Sequence, residues 1–440
     1  MSADGIDEEL RSVLTEAVGA HGVPGAAAGV LVDGESHTAC VGVTSVENPL
    51  PVTPDTLFQV ASITKTFVAA TVMRLVRDGR VALENPVARH LPDLATRTGL
   101  DAEAITIEHL LSHQSGFDGD HLIVGRLPER LEQLVDAARL HEPGAGVSYN
   151  NAAFCIVGEL IARVSGQPFE QFVREQLLKP LGIRGYFTAD QVITRRVAAP
   201  HFVIGDRVGV LRGPWQLNEI DRPAGGLVTS VDGLLIWARA QLDPTEALDQ
   251  ASSDRMRQPV ATLDRWTQFG LDWAITRTND TTVIDHGGLN PGYTSVLAIV
   301  PDQRVAVVSL THATNGGAVN QAVRRWALSR FANVDERDAE PDPSVAIDAD
   351  RFVGRYRYPY AWLTVTRGDT PNTLRVTPSE RDDVDGWKPP PAPPVTLGFV
   401  DAEHAVTINA GVQQRTRFGF DAAGRTAWMT WGSRRSPRER

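Results

Sequence analysis

The alternation of apolar and polar positions divides the chain into distinct elements. The segment Ile6–Ala20 has the spacing of a surface helix. Two apolar runs, Ala26–Val32 and His37–Val43, flank Asp33-Gly34, a pair that favours a tight β-hairpin turn. The stretch Asp55–Asp78 begins irregularly and then becomes strongly helical. The chain therefore opens with a helix, a hairpin and a second helix.

Helical patterns continue to about Leu181, and strands return later. The segment Thr229–Asp232 predicts a helix start with capping-box character. Four predicted strands and a helix then follow: Phe269–Thr276, Thr282–Asp285, Ser295–Val300, Val305–Leu310 and the helix Asn315–Phe331. Strands at both ends with a helical insertion between them predict one mostly antiparallel sheet, covered by helices.

The pattern changes after an acidic, proline-bearing stretch. We predict a linker at residues 334–345, between a first domain at 1–333 and a second at 346–440. A proline-rich loop, Lys388–Pro394, interrupts the second domain, and the basic tail Arg434–Arg440 is typical of a short solvated end. Seven short alternating segments predict a small all-β barrel or sandwich: Phe352–Tyr356, Trp362–Thr366, Thr373–Thr377, Val395–Val400, Ala405–Asn409, Arg415–Phe420 and Thr426–Trp431.

Composition narrows the class of protein. The 440 residues are 42% hydrophobic and 22% charged, which is ordinary for a globular protein, and the net charge of -11 argues against a nucleic-acid partner. Cys40 and Cys155 lie in apolar stretches, so we expect buried thiols and no disulfide. The acidic N-terminus lacks a signal-peptide pattern, and no stretch is long and apolar enough to span a bilayer. We therefore predict a cytoplasmic protein without a membrane partner.

Several common enzyme motifs are missing from the sequence. It has no G-x-S-x-G elbow, P-loop, G-x-G-x-x-G or H-E-x-x-H. The 11 histidines are scattered without metal-ligand spacing. We therefore predict no cofactor and no metal site.

The candidate chemistry begins at Ser62-Ile-Thr-Lys65, at the start of a helix. Residues three apart share a helical face, so the Lys65 amine can reach the Ser62 hydroxyl. A hydroxyl nucleophile needs an adjacent base, and a lysine serves only if its pKa is lowered. The helix start also offers N–H groups to an oxyanion. With three lysines in the chain, chance alone produces such a spacing about one time in seven, so two further motifs matter.

Those motifs offer polar groups at the edges of regular elements. The run Ser148-Tyr-Asn-Asn151 brings a phenol and an amide to a loop entering a helix, although a simple helix cap by Ser148 or Asn151 explains it equally well. The run Asp285-His-Gly-Gly-Leu289 ends a strand, and its paired glycines favour close backbone approach to a ligand. An ordinary turn is the alternative explanation.

In this order, the three motifs resemble those of the serine beta-lactamase and penicillin-binding-protein family, most closely its class C beta-lactamase-like branch. The resemblance covers about residues 10–330 and implies an α/β (α+β) fold, with an antiparallel sheet flanked by helices and a helical subdomain. The segment after the linker is similar to a lipocalin-like β domain. The positions that match the three motifs are Ser62 and Lys65, Tyr149 and Asn151, and His286 and Gly288. Three connecting segments also resemble the family: Thr106–Gly116, Pro180–Gly182 and Ala224–Leu227.

The resemblance also implies roles for these residues. Ser62 would attack a carbonyl, while Lys65 and Tyr149 would move protons. Asn151 would orient Lys65, and the backbone N–H groups of Ser62 and Leu289 would form the oxyanion hole. His286, Gly287 and Gly288 would support the substrate site.

One departure concerns the substrate. The third lactamase motif is K-T-G, whose lysine helps to bind a carboxylate, whereas His286 occupies that position here and would be largely neutral near pH 7. We therefore expect a substrate without an essential carboxylate beside the scissile bond, and penicillins as poor substrates.

Two enzymatic functions remain open. One is a hydrolase, either a carboxylesterase or a D-type peptidase or amidase, acting on a small-molecule or peptide substrate. The other is an acyltransferase or peptide cyclase of natural-product biosynthesis, which would take its substrate from a carrier protein. A binding protein on an inactive scaffold is disfavoured because Ser62, Lys65 and Tyr149 are intact. The sequence makes no prediction about oligomeric state.

Overall fold

A computed structural model describes residues 3–119, 136–213, 215, 217–278, 280–359, 361–380, 393–408 and 412–439. Most of the predicted loop Lys388–Pro394 lies outside these ranges. An antiparallel main sheet organises the first part of the chain. Its eight strands are, in spatial order, Glu35–Gly42, Gly25–Val32, Val305–Thr311, Tyr293–Val300, Thr281–Asn290, Ala274–Thr278, Thr267–Phe269 and Ala261–Thr262.

Helices cover both faces of the main sheet. Ala3–His21 and Gly317–Ala332 pack on one face, and Thr64–Arg77 and Val231–Leu242 lie on the other. The remaining helices are Leu94–Thr98, Ile107–Leu111, Asn151–Ser165, Phe169–Val173, Lys179–Leu181, Ala189–Val192, Arg222–Gly225 and Gln250–Arg257, with a π-helical turn at Arg174–Leu178.

The period-2 pattern of the first strand explains this layering. Ala26 and Val30 point into the core beneath the terminal helices, whereas Ala27 and Leu31 point into the larger core on the other face. At Gly29 a side chain would collide with Leu235, so glycine allows the helix to approach the strand closely.

The predicted hairpin is confirmed, and two predicted strands differ in extent. Asp33 and Gly34 both have positive φ, as a two-residue hairpin turn requires. The predicted strand Phe269–Thr276 is wrong as a single element, because a turn with Asp272 at φ 70° divides it into two strands. The predicted strand Thr282–Asp285 continues to Asn290, so the glycines expected after its end lie within it.

The last part of the chain forms a nearly closed antiparallel barrel, which we call the C-terminal barrel. A bridge between Tyr356 and Arg438 brings its first and last strands together, and a separate apolar core around Phe352 and Phe418 fills it. Its eight strands follow chain order: Gly354–Tyr358, Ala361–Arg367, Thr373–Glu380, Val395–Phe399, His404–Ile408, Arg415–Phe420, Thr426–Trp431 and Arg434–Pro437.

The eighth strand corrects the prediction of a solvated basic tail. Arg434–Pro437 pairs with Thr426–Trp431, and Ser436 is fully buried. The alternation of buried and exposed positions is too short there to stand out against five charged residues in the last seven. The domain limits, with a linker at 334–345, stay a prediction, although that stretch makes contacts with both sides, such as Asp342 N–H to Phe399 O at 2.8 Å.

Three two-stranded ribbons and two thiols complete the fold. The ribbons are Phe58–Gln59 with Val228–Thr229, Phe117–Asp118 with Asp136–Arg139, and His201–Ile204 with Arg207–Val210. Cys40 and Cys155 are free. Within the described ranges, no helix has the length and apolarity needed to cross a bilayer, and no three His, Cys, Asp or Glu side chains are grouped to hold a metal ion.

Candidate active site

The predicted nucleophile lies in a tight turn before a buried helix. Ala61–Ile63 forms a 3-10 turn that leads into Thr64–Arg77, and Ala61 adopts φ 49°, a conformation that non-glycine residues rarely take. Hydrogen bonds hold this turn: Thr64 Oγ donates to Ala61 O at 2.6 Å, and Ser295 Oγ donates to Val60 O at 2.8 Å. Ser62 is therefore presented at the helix start on a constrained backbone.

Lys65 reaches Ser62 as its spacing predicts. Its Nζ lies 3.0 Å from Ser62 Oγ and also donates to the backbone oxygen of Ala224. The side chain is fully buried, and burial lowers the pKa of Lys65 to about 7, against the opposing charge of Asp272. The uncharged Lys65 amine, which is the form that can accept a proton, is therefore accessible near neutral pH.

Tyr149 stands beside this pair, at the entrance to the helix Asn151–Ser165. Asn150 caps that helix, because its side chain accepts from Ala153 N at 3.0 Å, so neither Ser148 nor Asn151 is the cap. Lys65 Nζ lies 5.0 Å from the centre of the Tyr149 ring. Burial raises the pKa of Tyr149 well above its ordinary value, and a hydrogen bond with Ser62 opposes the rise. Tyr149 is therefore protonated at neutral pH.

Asn151 is buried as the first residue of its helix. Its predicted role in orienting Lys65 stays a prediction. Beneath it, the Cys155 thiol donates to the Asn151 backbone oxygen at 3.4 Å, and burial raises the pKa of Cys155 well above its ordinary value. Cys155 therefore packs as a protonated thiol under the site.

A buried carboxylate that the sequence analysis missed connects two histidines. Asp272 Oδ1 lies 3.2 Å from His113 Nε2, and Asp272 Oδ2 lies 3.3 Å from His286 Nε2. Burial alone would raise the pKa of Asp272, but the charge of His286 and hydrogen bonds with both rings lower it to about 2. Asp272 therefore carries a negative charge within the site.

The two rings differ in their surroundings. Asn150 N–H donates to His113 Nδ1 at 3.1 Å, so the remaining His113 proton is on Nε2 and points to Asp272. Burial lowers the pKa of His113 to about 4, which keeps this ring neutral. His286 Nδ1 lies 2.6 Å from Gly287 O, and His286 Nε2 lies 3.3 Å from Asp272 Oδ2. The neutral state expected for His286 from the sequence stays a prediction.

The glycines of the third motif serve different purposes. A side chain at Gly288 would collide with Val60 O, in the turn that carries Ser62, and with the Ser295 hydroxyl. Gly287 has open space instead, with nothing closer than 3.8 Å to an added Cβ. The close approach expected for both glycines is therefore made at Gly288, toward the protein's own backbone.

The strand Thr281–Asn290 has an open edge next to Ser62. Its outer neighbour pairs only as far as Asp285, and Gly287 O meets the His286 ring. Because N–H and C=O of one residue point the same way and alternate along a strand, Leu289 presents its N–H to the same edge as Gly287. This direction suits the predicted oxyanion hole of Ser62 and Leu289. The Leu289 side chain is 62% exposed.

The C-terminal barrel reaches this site. Tyr149 N–H donates to Ser433 O at 2.9 Å, and Arg435 N–H donates to Ser148 Oγ at 3.1 Å. Arg434 lies over the Tyr149 ring, with Cζ 4.8 Å from its centre. The turn before the last barrel strand is thus part of the cleft.

Comparisons with known proteins agree with this geometry. The family model described as Beta-lactamase matches residues 10–330. Penicillin-binding protein 4 of Amycolatopsis lactamdurans is 33% identical over 368 residues, which cover 76% of this chain and 93% of that protein.

Solved structures share the fold. The structure of SurE has a TM-score of 0.76 at 25% identity and covers all of both chains; a second structure contains D-Leu. The D-amino acid amidase of Ochrobactrum anthropi SV3 has a TM-score of 0.63 at 24% identity, covering 74% of this chain and 98% of that one. The predicted resemblance and the predicted fold class are therefore confirmed.

Proposed function

We propose that this chain, which belongs to the Beta-lactamase family of serine hydrolases, forms a covalent acyl-enzyme on Ser62 and acts on an ester or amide. The observation that carries the proposal is the 3.0 Å contact between Ser62 Oγ and the buried Lys65 amine, whose pKa is about 7. This pair combines a nucleophile with a base that is uncharged at working pH.

The geometry supports a definite order of steps. Neutral Lys65 takes the Ser62 proton while Oγ bonds to the substrate carbonyl carbon, and the oxyanion accepts from the N–H groups of Ser62 and Leu289. When the bond to the leaving group breaks, Tyr149 donates its proton to that group and recovers one from Lys65. Deacylation repeats the sequence in reverse, with water as the nucleophile.

The charge and contacts of Asp272 support this arrangement of Lys65 and Tyr149. Its charge stabilises the protonated form of Lys65, and it holds His113 against the Tyr149 ring, whose centre is 4.3 Å from that of His113. We assign Asp272 and His113 as positioning residues for Tyr149 and Lys65.

Labelling of Ser62 tests the proposal directly. A fluorophosphonate probe should attach to Ser62 in the intact protein, with the site identified by peptide mass spectrometry. Ser62→Ala should remain unlabelled, whereas Ser45→Ala, at a serine outside the three motifs, should label like the wild type. Labelling of Ser62→Ala at another residue would refute the assignment of the nucleophile.

For the substrate, we propose hydrolysis of a D-configured amino acyl ester or amide. The D-Leu in one SurE structure and the name of the D-amino acid amidase motivate this choice. Activated esters of D- and L-amino acids should be hydrolysed at different rates, with the D-enantiomer faster. Equal rates, or a faster L-enantiomer, would reject the stereochemical part alone.

One observation favours acyl transfer as a second candidate. The C-terminal barrel contributes a turn to the cleft, and an enclosed cleft can exclude water or hold an acceptor amine. Saturable formation of an amide from an activated ester and an amino acid amide would select this candidate. Free acid as the dominant product at every amine concentration would select the hydrolase.

A further inference from the structure

We propose that Asn290 is a positioning residue, whose side chain fixes the segment before Ser62 and the segment that binds Lys65 relative to the strand that carries Leu289. The inference rests on the proposed function, because it takes Lys65 as the base and Leu289 N–H as part of the oxyanion hole. Asn290 follows the last residue of the third motif and belongs to none of the three motifs.

A tight turn holds the backbone that carries Asn290. It is the last residue of the strand Thr281–Asn290, and it pairs with Tyr293 across the dipeptide Pro291-Gly292. Gly292 adopts φ 75°, a positive angle that suits the third position of a proline–glycine turn and that glycine adopts without strain. The turn therefore fixes the place from which the Asn290 side chain enters the interior.

The Asn290 amide donates two hydrogen bonds in that interior. Its Nδ2 donates to Gln59 Oε1 at 2.8 Å and to Gly225 O at 3.2 Å, and both amide side chains are buried. Backbone carbonyls fix the direction of these bonds, because Gly225 O and Trp215 O, which receives Gln59 Nε2, can only accept. The nitrogen of Asn290 therefore faces the oxygen of Gln59, and both amides have one consistent orientation.

Each partner of this amide leads to one member of the catalytic pair. Gln59 lies three positions before Ser62, at the end of the short strand that enters the nucleophile's turn. Gly225 follows Ala224, whose backbone oxygen accepts from Lys65 Nζ. One side chain thus connects the approach to the nucleophile with the carbonyl that orients the base.

The helix that presents this carbonyl is short and needs outside support. Arg222–Gly225 has four residues, too few for a helix to be stable by itself. Leu227 N–H donates to Thr64 Oγ at 3.0 Å and holds the chain after the helix, whereas Asn290 holds the last residue of the helix itself. Without the Asn290 amide, we expect the Ala224 oxygen to lose its fixed position at the lysine.

A merely structural role is the alternative, because the loss of a buried amide leaves its partners unpaired and destabilises a fold. Asn320 offers a matched control. It is also buried and makes two side-chain hydrogen bonds, accepting from Ser309 Oγ at 2.8 Å and donating to Thr294 Oγ at 3.1 Å. Its helix, Gly317–Ala332, packs on the face of the main sheet opposite the helix that carries the base.

The test follows the labelling of Ser62 by an excess of a fluorophosphonate probe in the full-length protein, at pH values on both sides of the Lys65 midpoint. The measured quantities are the first-order rate constant of labelling and the midpoint of its rise with pH. A smaller folded fraction lowers the final amount of label and leaves both quantities unchanged. A poorly folding variant therefore remains informative, and Asn290→Ser provides a second, milder change.

Asn290→Ala should slow labelling by about 10- to 100-fold, because small displacements of catalytic groups have effects of this size. The midpoint should move to lower pH. A carbonyl that accepts from the charged Lys65 amine favours that form, so its displacement lowers the pKa of Lys65. Asn290→Ser should change both quantities in the same directions. Asn320→Ala should lower the melting temperature as Asn290→Ala does, and both of its labelling quantities should equal those of the wild type.

Three results would overturn the proposal. The first is labelling of Asn290→Ala at the wild-type rate, the second is a slower rate with an unmoved midpoint, and the third is an equal change in Asn320→Ala. The wild type separates this failure from that of the proposed function. If wild-type Ser62 is labelled and one of the three results is found, only the role of Asn290 is lost; if wild-type Ser62 is not labelled, the acyl-enzyme proposal itself fails.

Discussion

Two cations lie in the interior of the first part of the chain and are held in opposite ways. Lys65 contacts a hydroxyl and a backbone oxygen, and within the described ranges it forms no ion pair. Arg324 is bound by Asp285 at 3.0 Å and by Glu336 at 2.7 Å. Burial lowers the pKa of Lys65 to about 7, whereas the two carboxylates outweigh burial and raise the pKa of Arg324.

The difference distinguishes a cation that performs chemistry from one that supports structure. A paired buried charge is satisfied, so it resists titration and its loss leaves its partners uncompensated. A buried amine without a carboxylate beside it gives up its proton easily, which costs stability and creates a base. Substitutions at the two places should therefore affect different measurements.

The largest expected effect is on activity. Lys65→Ala and Ser62→Ala should each lower kcat/KM by about 10⁴-fold or more, because members of one catalytic unit fail together. Ester hydrolysis measured with p-nitrophenyl acetate, alongside thermal unfolding, checks both. Lys179→Ala, at a lysine far from the site in the chain, is the control and should behave as the wild type. Activity of Lys65→Ala within tenfold of the wild type would contradict the role of Lys65 as base.

The next effect is on stability. Arg324→Ala should lower the free energy of unfolding by about 3–5 kcal/mol, since it leaves Asp285 and Glu336 uncompensated in a half-buried place. Denaturant unfolding measures it. Its neighbour Arg325, which pairs with Asp338 on the surface, is the matched control, and Arg325→Ala should cost under about 1 kcal/mol. Equal losses in the free energy of unfolding for Arg324→Ala and Arg325→Ala would contradict the prediction that the buried ion pairs of Arg324 stabilise the fold more.

A smaller loss is expected at the carboxylate between the histidines. Asp272→Asn should reduce kcat by about 100-fold and shift the pH profile, because the charge that raises the pKa of Lys65 disappears and the midpoint moves to lower pH. Asp249→Asn, at a helix cap on the surface, should leave the profile in place. A reduced rate with an unmoved midpoint would mean that Asp272 acts only through structure.

The most direct measurement concerns Lys65 itself. In a protein with three lysines, ¹³C labelling of lysine Cε should show the Lys65 amine titrating near pH 7. The kcat/KM should fall about tenfold for each pH unit below that midpoint, because acid protonates the base. Lys65→Arg should remove the titrating signal. If the Lys65 amine stays protonated up to pH 9, the proposed contrast between a titrating Lys65 and a permanently charged Arg324 is wrong.

Local order made the core of the site predictable. A spacing of three residues, from a 3-10 turn into the helix that follows it, brought Ser62 and Lys65 together. The resemblance supplied Tyr149 and His286 in chain order. The main sheet followed from alternation. Its prediction differed at Thr282–Asp285, where the strand continues to Asn290, and at Phe269–Thr276, where a left-handed Asp272 interrupts an apolar run. A charged residue inside that run was the available signal, since a carboxylate buried among apolar neighbours is rare without a purpose.

The contacts that bring the remaining site residues together had no local signal. His113 and Asp272 meet through tertiary packing, and Arg434 belongs to a short strand whose charged residues conceal its alternation. Register within the barrel decides which arginine of the pair at 434 and 435 faces Tyr149. Such information arises only when distant segments are packed together.

The contact between the last barrel turn and the second motif also affects the timing of assembly. Ser148 and Arg435 are 287 positions apart, so the residues that surround the nucleophile are synthesised long before the turn that borders it. Domains generally fold as the ribosome releases them, from the N-terminal side onward. A nascent chain can therefore place Ser62, Lys65 and Tyr149 before the turn that carries Arg434 packs beside them. The border of the site would then be completed only after its nucleophile is in place.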